Sequence, residues 1–261
     1  MHPEEFINRP EFIRWEASGL RITAFLAEQM DVTNIGWWQE VLGEQAENVS
    51  IKNRGQVREE TGVRPTGNLL LKCEPMRTDW ILTAPQDESG ERVLPPVMPN
   101  LPEAIDQILE IADSWFKNCP DLQRMAFGAW MISPVDDHVS GYTQLDELLP
   151  NVTVEPSTRD FRYQLNRRRP SAVGPEGLLI NRLSNWSLLR VNALGEFQVT
   201  LADDVRVVPT AARQEAYAVQ ADLDINTMAE FQGSLPRETL VDQFRELVTM
   251  GFEIACEGEV P

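Results

Sequence analysis

Three oxygen-bearing side chains alternate along one stretch in the last fifth of the chain. Asp222, Asp224 and Asn226 are separated by single apolar residues. Because successive side chains of a strand point to opposite faces, all three are expected on one face. Carboxylate and amide oxygens are the ligands that magnesium and calcium prefer, so the pattern fits a metal-dependent hydrolase. The other interpretation, which we favour, is the polar face of a half-buried strand, and no metal is then assigned.

His138 is the second candidate for chemistry. It follows Asp136 and Asp137, and a histidine oriented by a carboxylate can act as a general base. The only other histidine is His2, which excludes a site built from several histidines. We interpret His138 as a loop residue beside solvated acids and keep it only as an accessory of the metal-dependent alternative.

Arginines form the third candidate, between residues 159 and 190 of an otherwise acidic chain. Seven arginines stand there against only Asp160 and Glu176. Planar guanidinium groups bind carboxylates and phosphates with two hydrogen bonds, so the cluster predicts a contact for an anion or an acidic partner. Five members make up the candidate binding site: Arg162, Arg167, Arg168, Arg169 and Arg182.

The competing interpretation of this cluster is pairing with the chain's own carboxylates across neighbouring strands. Residues 167–169, which precede Pro170, resist that interpretation most. Adjacent side chains cannot all face one partner, so we expect a solvated turn or a contact at this run.

Several common catalytic arrangements are absent from the sequence. There is no Gly-Lys pair for a phosphate-binding loop, no Gly-x-Gly-x-x-Gly run and no Gly-x-Ser-x-Gly elbow. None of the three lysines stands two residues after an acid, as the common carboxylate–lysine nuclease pattern requires. We therefore assign no catalytic residue and no cofactor.

The elements that would position these residues are short strands and a few helices. Apolar alternation and turn residues predict strands at residues 14–28, 49–59, 68–74, 78–84, 125–132, 161–166, 178–191, 196–201, 205–208 and 216–225. Helical spacing predicts helices at 34–42, 101–119 and 143–149, and a final helix after Pro236. Strands in runs followed by a helix favour an α+β architecture with antiparallel sheets.

The two long helices open alike. Leu101-Pro102 is followed by Asp106-Gln107, and Leu235-Pro236 by Asp242-Gln243. We predict two similar halves, 1–135 and 136–261, or one continuous domain built from both. Each half would be a mainly antiparallel sheet packed by one long amphipathic helix. An internal duplication would produce this arrangement.

Composition limits the partners. A net charge of −18 opposes nonspecific binding to nucleic acid or to an anionic membrane, because both depend on neutralising phosphates. The three widely spaced cysteines are typical of buried thiols in a reducing compartment. No apolar run has the length of a membrane span or of a signal-peptide core. We expect a cytoplasmic protein with a protein partner and no membrane association.

Several short segments give the chain a resemblance to a sporadically distributed family of uncharacterised bacterial proteins of about this length. The segments are 70–74 leading to Trp80, 163–167, 181–183 with Trp186, 223–226, and the closing helix with Phe252-Glu253. Members of that family look like two-part α+β proteins without an established activity. The resemblance therefore implies the architecture and no catalytic residue. Their patchy distribution is similar to that of genes in mobile or defence islands.

These observations predict a non-enzymatic binding or assembly subunit of a cytoplasmic bacterial multi-protein system, with a possible role in defence. Its arginine cluster would contact an acidic partner or an anion. Two alternatives stay open: a metal-dependent hydrolase on residues 222–226, and an acidic mimic of nucleic acid that occupies a basic groove of its partner.

Overall fold

The computed structural model describes residues 3–52, 54, 56–87, 92–193, 197–201, 205–209 and 214–259. The α-helices are α1 (Glu4–Ile7), α2 (Pro10–Ile13), α3 (Trp37–Leu42), α4 (Leu101–Trp115), α5 (His138–Leu148) and α6 (Leu240–Glu257), with a 3₁₀ turn at Arg237–Thr239. The strands are β1 (Glu16–Leu26), β2 (Asn48–Lys52), β3 (Val57–Arg64), β4 (Gly67–Glu74), β5 (Arg77–Thr83), β6 (Leu122–Val135), β7 (Arg162–Pro170), β8 (Leu179–Ala193), β9 (Phe197–Leu201), β10 (Val205–Pro209) and β11 (Gln214–Thr227). Among the described helices, none combines the length and the apolarity that crossing a membrane requires.

Nine strands form one antiparallel sheet in the order β2-β3-β4-β5-β1-β6-β11-β8-β7, and β9 and β10 pair separately. The fold is therefore α+β, as predicted. In the middle of the sheet β1 pairs with β5 on one side and with β6 on the other. The strands of the amino-terminal and carboxyl-terminal parts thus join in a single sheet, whose edge strands are β2 and β7.

The predicted strands and helices correspond closely to the observed elements, with some differences. Helix α5 begins at His138 and not at residue 143, and α4 ends at Trp115 and not at residue 119. The stretch predicted as one strand over residues 49–59 is broken into β2 and β3, which pair with each other. The short helices α1 and α2 were not predicted, because four residues are too few to show a helical period. Residues 167–169 continue β7 through Pro170, because this segment pairs with Leu179–Arg182 of β8. Proline is tolerated there because β7 is an edge strand.

Helices cover one face of the sheet, and tryptophans and phenylalanines fill the space between. Trp80 of β5 stacks on Trp38 of α3 with 6.1 Å between ring centroids, and meets Trp115 of α4 edge-on at 6.5 Å. Phe127 of β6 packs edge-on against Phe244 of α6 at 6.1 Å. This helix-covered face holds the hydrophobic core.

Helix α5 lies on the same side. Its Gly141 approaches Leu188 of β8, and its Gln144 donates a 3.0 Å hydrogen bond to Ser133 of β6. The opposite face carries Arg21, Gly128 and Asp224, which are partners in adjacent strands. We call it the free face, since no helix of the described residues packs on it.

Helix α6 is buried on almost all sides, because α1 and α2 pack on its outer surface. Phe12 of α2 lies 4.8 Å from Phe252, and Trp15 donates a 2.8 Å hydrogen bond to the carbonyl oxygen of Ala255. Beyond α6, Gly258 adopts a positive φ of 70° that favours glycine. That turn lets the amide of Glu259 donate to the carbonyl of Leu148, so the Glu259 side chain enters the core.

The three cysteines are free and buried, as predicted. Burial raises the pKa of Cys119 and of Cys256 to about 11, and it raises the pKa of Cys73 further. The thiols are therefore neutral at physiological pH and behave as small apolar side chains.

Candidate functional site

Alternation along β7 divides the predicted arginine site between the two faces of the sheet. Arg167 and Arg169 point to the helix-covered face, and Arg162 and Arg168 point to the free face. Arg182, the partner of Arg167 on β8, also lies on the helix-covered face. The structure therefore does not bring the five arginines to one surface.

Glu253 of α6 holds two arginines of the helix-covered face. Arg169 donates two hydrogen bonds of 2.8 Å to its carboxylate, and Arg182 lies 3.8 Å away. Burial acts to raise the pKa of Glu253, but the Arg169 hydrogen bonds and the charges of both arginines outweigh it, so the pKa lies below its ordinary value. Burial and the nearby Arg169 lower the pKa of Arg182. These two arginines are occupied by an internal partner.

A second buried group surrounds Glu259, which is 2 % exposed. Its carboxylate accepts a hydrogen bond from Ser184, whose hydroxyl also accepts a 2.9 Å bond from the indole of Trp186. Arg167 lies 4.0 Å from the other carboxylate oxygen. Buried atoms of Arg167, Arg182 and Glu259 have no hydrogen-bond partner among the described residues, so the group is held by charge and only partly by hydrogen bonds.

The free-face arginines of β7 are Arg162 and Arg168. Arg168 is 46 % exposed and donates hydrogen bonds to Asn181 at 2.9 Å and to Glu230 at 3.0 Å. Arg162 is exposed and forms no ion pair with any residue that the structure describes. Of the five predicted residues, Arg162 and Arg168 are the two that the structure leaves exposed.

A row of polar side chains crosses the free face from β7 to β6. Asn181 receives the bond from Arg168 and donates a 3.0 Å bond to the side-chain oxygen of Asn226. The same oxygen accepts a 3.0 Å bond from Arg124. Four strands are thus linked by one hydrogen-bonded series of guanidinium and amide groups, which fixes the side chains in place.

The row continues across β1 to β5 through an aromatic ring. Phe25 has the guanidinium of Arg124 at 4.7 Å on one side and that of Arg77 at 5.5 Å on the other. Arg77 also donates hydrogen bonds of 2.7 and 2.9 Å to Asp79, which is held in turn by a 2.6 Å bond from Thr23. Three arginines, Arg168, Arg124 and Arg77, therefore stand in one line across the sheet.

Beside this row is a hollow of about 240 Å³ that includes Arg21, Trp130 and Asn185 in its wall. The indole of Trp130 lies over Gly19, where a Cβ atom would come within 2.5 Å of the ring. The guanidinium of Arg21 lies over Gly128 and 5.6 Å from the indole centroid. Two glycines thus allow a planar aromatic and a planar cation to lie flat on the free face.

Asp222, Asp224 and Asn226 lie on the free face together, as strand alternation predicts. Each is held by neighbours: Gln220 donates 3.1 Å to Asp222, Asn226 donates 2.9 Å to Asp224, and Arg21 lies 3.5 Å from Asp224. Within the described ranges, no three acidic, histidine or cysteine side chains gather closely enough to hold a metal ion. The metal site on these three residues stays a prediction. The arginine and amide groups that already bind their oxygens do not favour it.

His138 is the first residue of α5, so its interpretation as a loop residue is wrong. The carboxylate of Asp137 accepts a 2.8 Å bond from the amide of Ser140, which caps this helix and lowers the pKa of Asp137. The imidazole lies 6.3 Å from the ring of Tyr217, on the helix-covered side. It is therefore on the opposite side of the sheet from Asp222 and Asp224, and the structure does not bring these residues together.

The sequence analysis missed the free-face residues outside β7, namely Arg21, Phe25, Arg77, Arg124 and Trp130. A signal was present, since each alternates with apolar residues of a predicted strand or lies at its end. Their assembly depends on the β1–β6 and β6–β11 pairings, which local patterns do not specify. Comparison of the chain with family models, curated proteins and solved structures finds no match.

Proposed function

We propose that this chain is a non-enzymatic binding or assembly subunit of a cytoplasmic bacterial multi-protein system, and that its partner docks on the free face of the sheet. The observation that carries the proposal is the line of Arg168, Arg124 and Arg77 across that face, stacked with Phe25. Arginine and aromatic side chains are enriched at protein interfaces relative to the rest of the surface.

Charge supports the same face. The cationic residues that its strands place there are Lys52, Lys72, Arg21, Arg77, Arg124, Arg162 and Arg168. The acidic ones are Glu16, Glu59, Glu74, Asp79, Asp222 and Asp224. These sets nearly balance, whereas the whole chain has 23 basic against 41 acidic residues. The free face is thus far less negative than the rest of the molecule.

An acidic protein segment is the partner that suits this distribution. It would meet the arginine line, while the acidic remainder of the chain would repel it from other surfaces and orient its approach. The same remainder opposes nonspecific binding to nucleic acid. Arg162 and Arg168 of the predicted cluster belong to this contact; Arg167, Arg169 and Arg182 would serve it only by fixing β7 and β8.

The test is to reverse the charge of the three arginines of this line in the full chain. In a variant with Arg77→Glu, Arg124→Glu and Arg168→Glu, partners recovered by affinity purification from the native host should fall at least about fivefold, since close interfacial charge pairs contribute 1.5 kcal/mol or more. A second variant, Arg162→Glu with Arg168→Glu, leaves the structural bonds of Arg124 to Asn226 and Thr227 intact.

A matched control changes the net charge equally at exposed positions that no strand places on the free face: Lys117→Glu, Arg159→Glu and Arg190→Glu. Quantitative mass spectrometry should find its partners unchanged. Equal recovery with the wild type, the control and both free-face variants would show that this surface does not carry the function.

We also propose that the two halves arose by internal duplication. If the boundary is placed before β6 instead of after residue 135, each half contains a strand, β1 or β6, followed by a helix, a run of antiparallel strands and a long helix; α1 and α2 precede this series in the first half. In each half the last strand pairs with the first strand: β5 pairs with β1, and β11 pairs with β6. The strand order is therefore nearly symmetric about the β1–β6 pair. Alignment of related sequences half against half is the test, and absence of any similarity between halves would oppose it.

A further inference from the structure

A cavity of about 490 Å³ lies on the helix-covered side of the molecule, outside the proposed partner surface. Three separate parts of the chain enclose it. Phe6 and Arg9 come from the amino-terminal helices, Val173 from the loop after β7, and Met250 and Glu253 from α6. Cavities of 300–1,000 Å³ with apolar linings and a few placed polar groups are the usual sites of small ligands.

The walls of this cavity are tied together without a ligand. Arg9 pairs with Glu257 at 2.9 Å, which joins the amino-terminal wall to α6. Glu246 of α6 holds the loop after β7, accepting hydrogen bonds from the hydroxyl of Ser171 at 2.5 Å and the amide of Ala172 at 2.6 Å. A cavity fixed in this way needs little ordering when a ligand enters, and that favours binding.

The lining combines apolar side chains with a pair of carboxylates. Phe6 and Met250 are buried and apolar, and Val173, which is 41 % exposed, directly follows the segment that Glu246 holds. Asp242 and Glu246 are four residues apart and therefore neighbours on one face of α6.

Most of the charges around the cavity are already compensated by ion pairs. Arg9 is bound to Glu257, Arg169 to Glu253, and Arg245 to Asp113. In the part of the chain that the structure describes, no lysine or arginine forms an ion pair with Asp242 or Glu246. Arg169 also interacts electrostatically with Glu246, so Asp242 is the least compensated charge of the lining, and it is negative.

We infer that this cavity is a binding site for a small hydrophobic primary amine. The apolar body lies against Phe6, Met250 and Val173, and the ammonium group faces the carboxylates of Asp242 and Glu246. Nothing in this assignment depends on the free face, so either proposal can fail without the other.

Calorimetry and ligand-observed NMR with phenethylamine test the inference on the full chain. A ligand of this size should bind with a Kd on the order of 1 mM. Phenylacetate, which has a ring of the same size and the opposite charge, should bind at least about tenfold more weakly, and ethylamine, which lacks the ring, likewise.

Two variants locate the site. Val173→Trp puts a large side chain in the wall of the cavity and should abolish phenethylamine binding, while Val139→Trp changes a valine that is equally exposed, at 42 %, on α5 and should have no effect. Asp242→Asn should weaken binding about fivefold, the upper range for an exposed ion pair. Asp136→Asn removes an exposed carboxylate elsewhere and should leave the Kd unchanged.

Loss of binding in Val173→Trp and Asp242→Asn but not in their controls would support the site. Equal affinity for phenethylamine and phenylacetate would overturn the assignment to an amine. Absence of phenethylamine binding by the wild-type chain, or binding that Val173→Trp leaves unchanged, would overturn the site itself.

Discussion

Two glutamates contact the three arginines on the helix-covered face of β7 and β8. Glu253 pairs with Arg169 and Arg182, and Glu259 lies near Arg167 while it accepts a hydrogen bond from Ser184. The side chains of Arg182 and Glu259 are only 6 % and 2 % exposed, whereas that of Arg169 is 43 % exposed. Buried charges cost free energy through desolvation, and removing one partner leaves the others uncompensated. The interior therefore depends on these two glutamates more than on any exposed ion pair.

Replacing Glu259 should destabilise the fold strongly. Glu259→Gln keeps the shape but removes the charge that faces Arg167, in a position that is 2 % exposed. We expect the free energy of unfolding to fall by about 3 kcal/mol. Urea unfolding followed by tryptophan fluorescence measures it.

The exposed pair of Arg9 and Glu257 supplies the matched control. Both side chains are more than one third exposed, so Glu257→Gln should change the free energy of unfolding by less than about 1 kcal/mol. An unfolding midpoint for Glu259→Gln no lower than that of the control would contradict the importance of the buried group.

The pKa of Glu253 predicts a pH dependence of stability. It lies below the ordinary value in the folded chain, so ionised Glu253 stabilises the fold above the unfolded pKa of about 4.3. That contribution is lost as the pH falls through the lower, folded value. Unfolding of the wild type and of Glu253→Gln should therefore differ most near pH 7 and converge below pH 4; a constant difference across this range would contradict the prediction.

The buried thiols give a prediction about reactivity. Because burial raises the pKa of Cys119 and Cys256 to about 11 and that of Cys73 further, all three are protonated at pH 8. A thiol-specific reagent should label the native chain far more slowly than the urea-unfolded chain, since the thiolate is the reactive form. Rapid labelling of one cysteine in the native chain would show that it is accessible.

At the scale of elements, local patterns predicted most strands and helices. They did not predict which face of the sheet each arginine of the cluster occupies. Alternation and turn residues were enough for β1, β4 and β5, because one face of each is apolar. The division of residues 167–169 between two faces follows from the extent of β7, which depends on pairing with β8. The sequence alone therefore could not predict that the arginine cluster is divided between two faces. It could predict that Asp222, Asp224 and Asn226 share one face.

Helices α1 and α2 show a second limit of local patterns. They are four residues each and have no period of their own, and their stability comes from the outer surface of α6. The same contact explains why α6, predicted as apolar on one side, also buries Thr249, Met250 and Cys256.

This contact can be tested by one substitution. Phe12 is 2 % exposed and lies 4.8 Å from Phe252, so Phe12→Ala should lower the free energy of unfolding by about 3 kcal/mol through lost burial and a cavity. Val139→Ala, at an exposed site on α5, should stay within about 0.5 kcal/mol of the wild type. Denaturant unfolding of both variants measures this difference. Equal unfolding midpoints for the two variants would mean that α2 does not stabilise α6.

At the scale of the whole molecule, the core does not divide at the boundary between the two proposed halves. Phe116 at the end of α4 lies 5.7 Å from Phe244 of α6, and Trp15 lies 6.2 Å from Trp186. These contacts join the amino-terminal and carboxyl-terminal halves in the same way as the β1–β6 pair does.

The two halves should therefore not fold alone. Fragments 1–120 and 121–261, expressed separately, should lack the dispersed NMR spectrum of the full chain because each exposes the apolar surface that the other covers. Mixing them should restore part of the native spectrum. Two independently folded fragments would instead establish separate domains.

The packing of α1 and α2 on α6 also has a consequence in time. Arg9 and Glu257 are 248 positions apart. The ribosome must therefore add more than 200 residues after α1 and α2, as this spacing shows, before α6 is available to pack on them. Until then Phe6 and Phe12 remain solvent-exposed or make transient contacts, and contacts of such long range form slowly. Nascent chains of this protein should consequently depend on chaperones that shield early apolar segments, more than a protein whose first elements pack on their immediate neighbours.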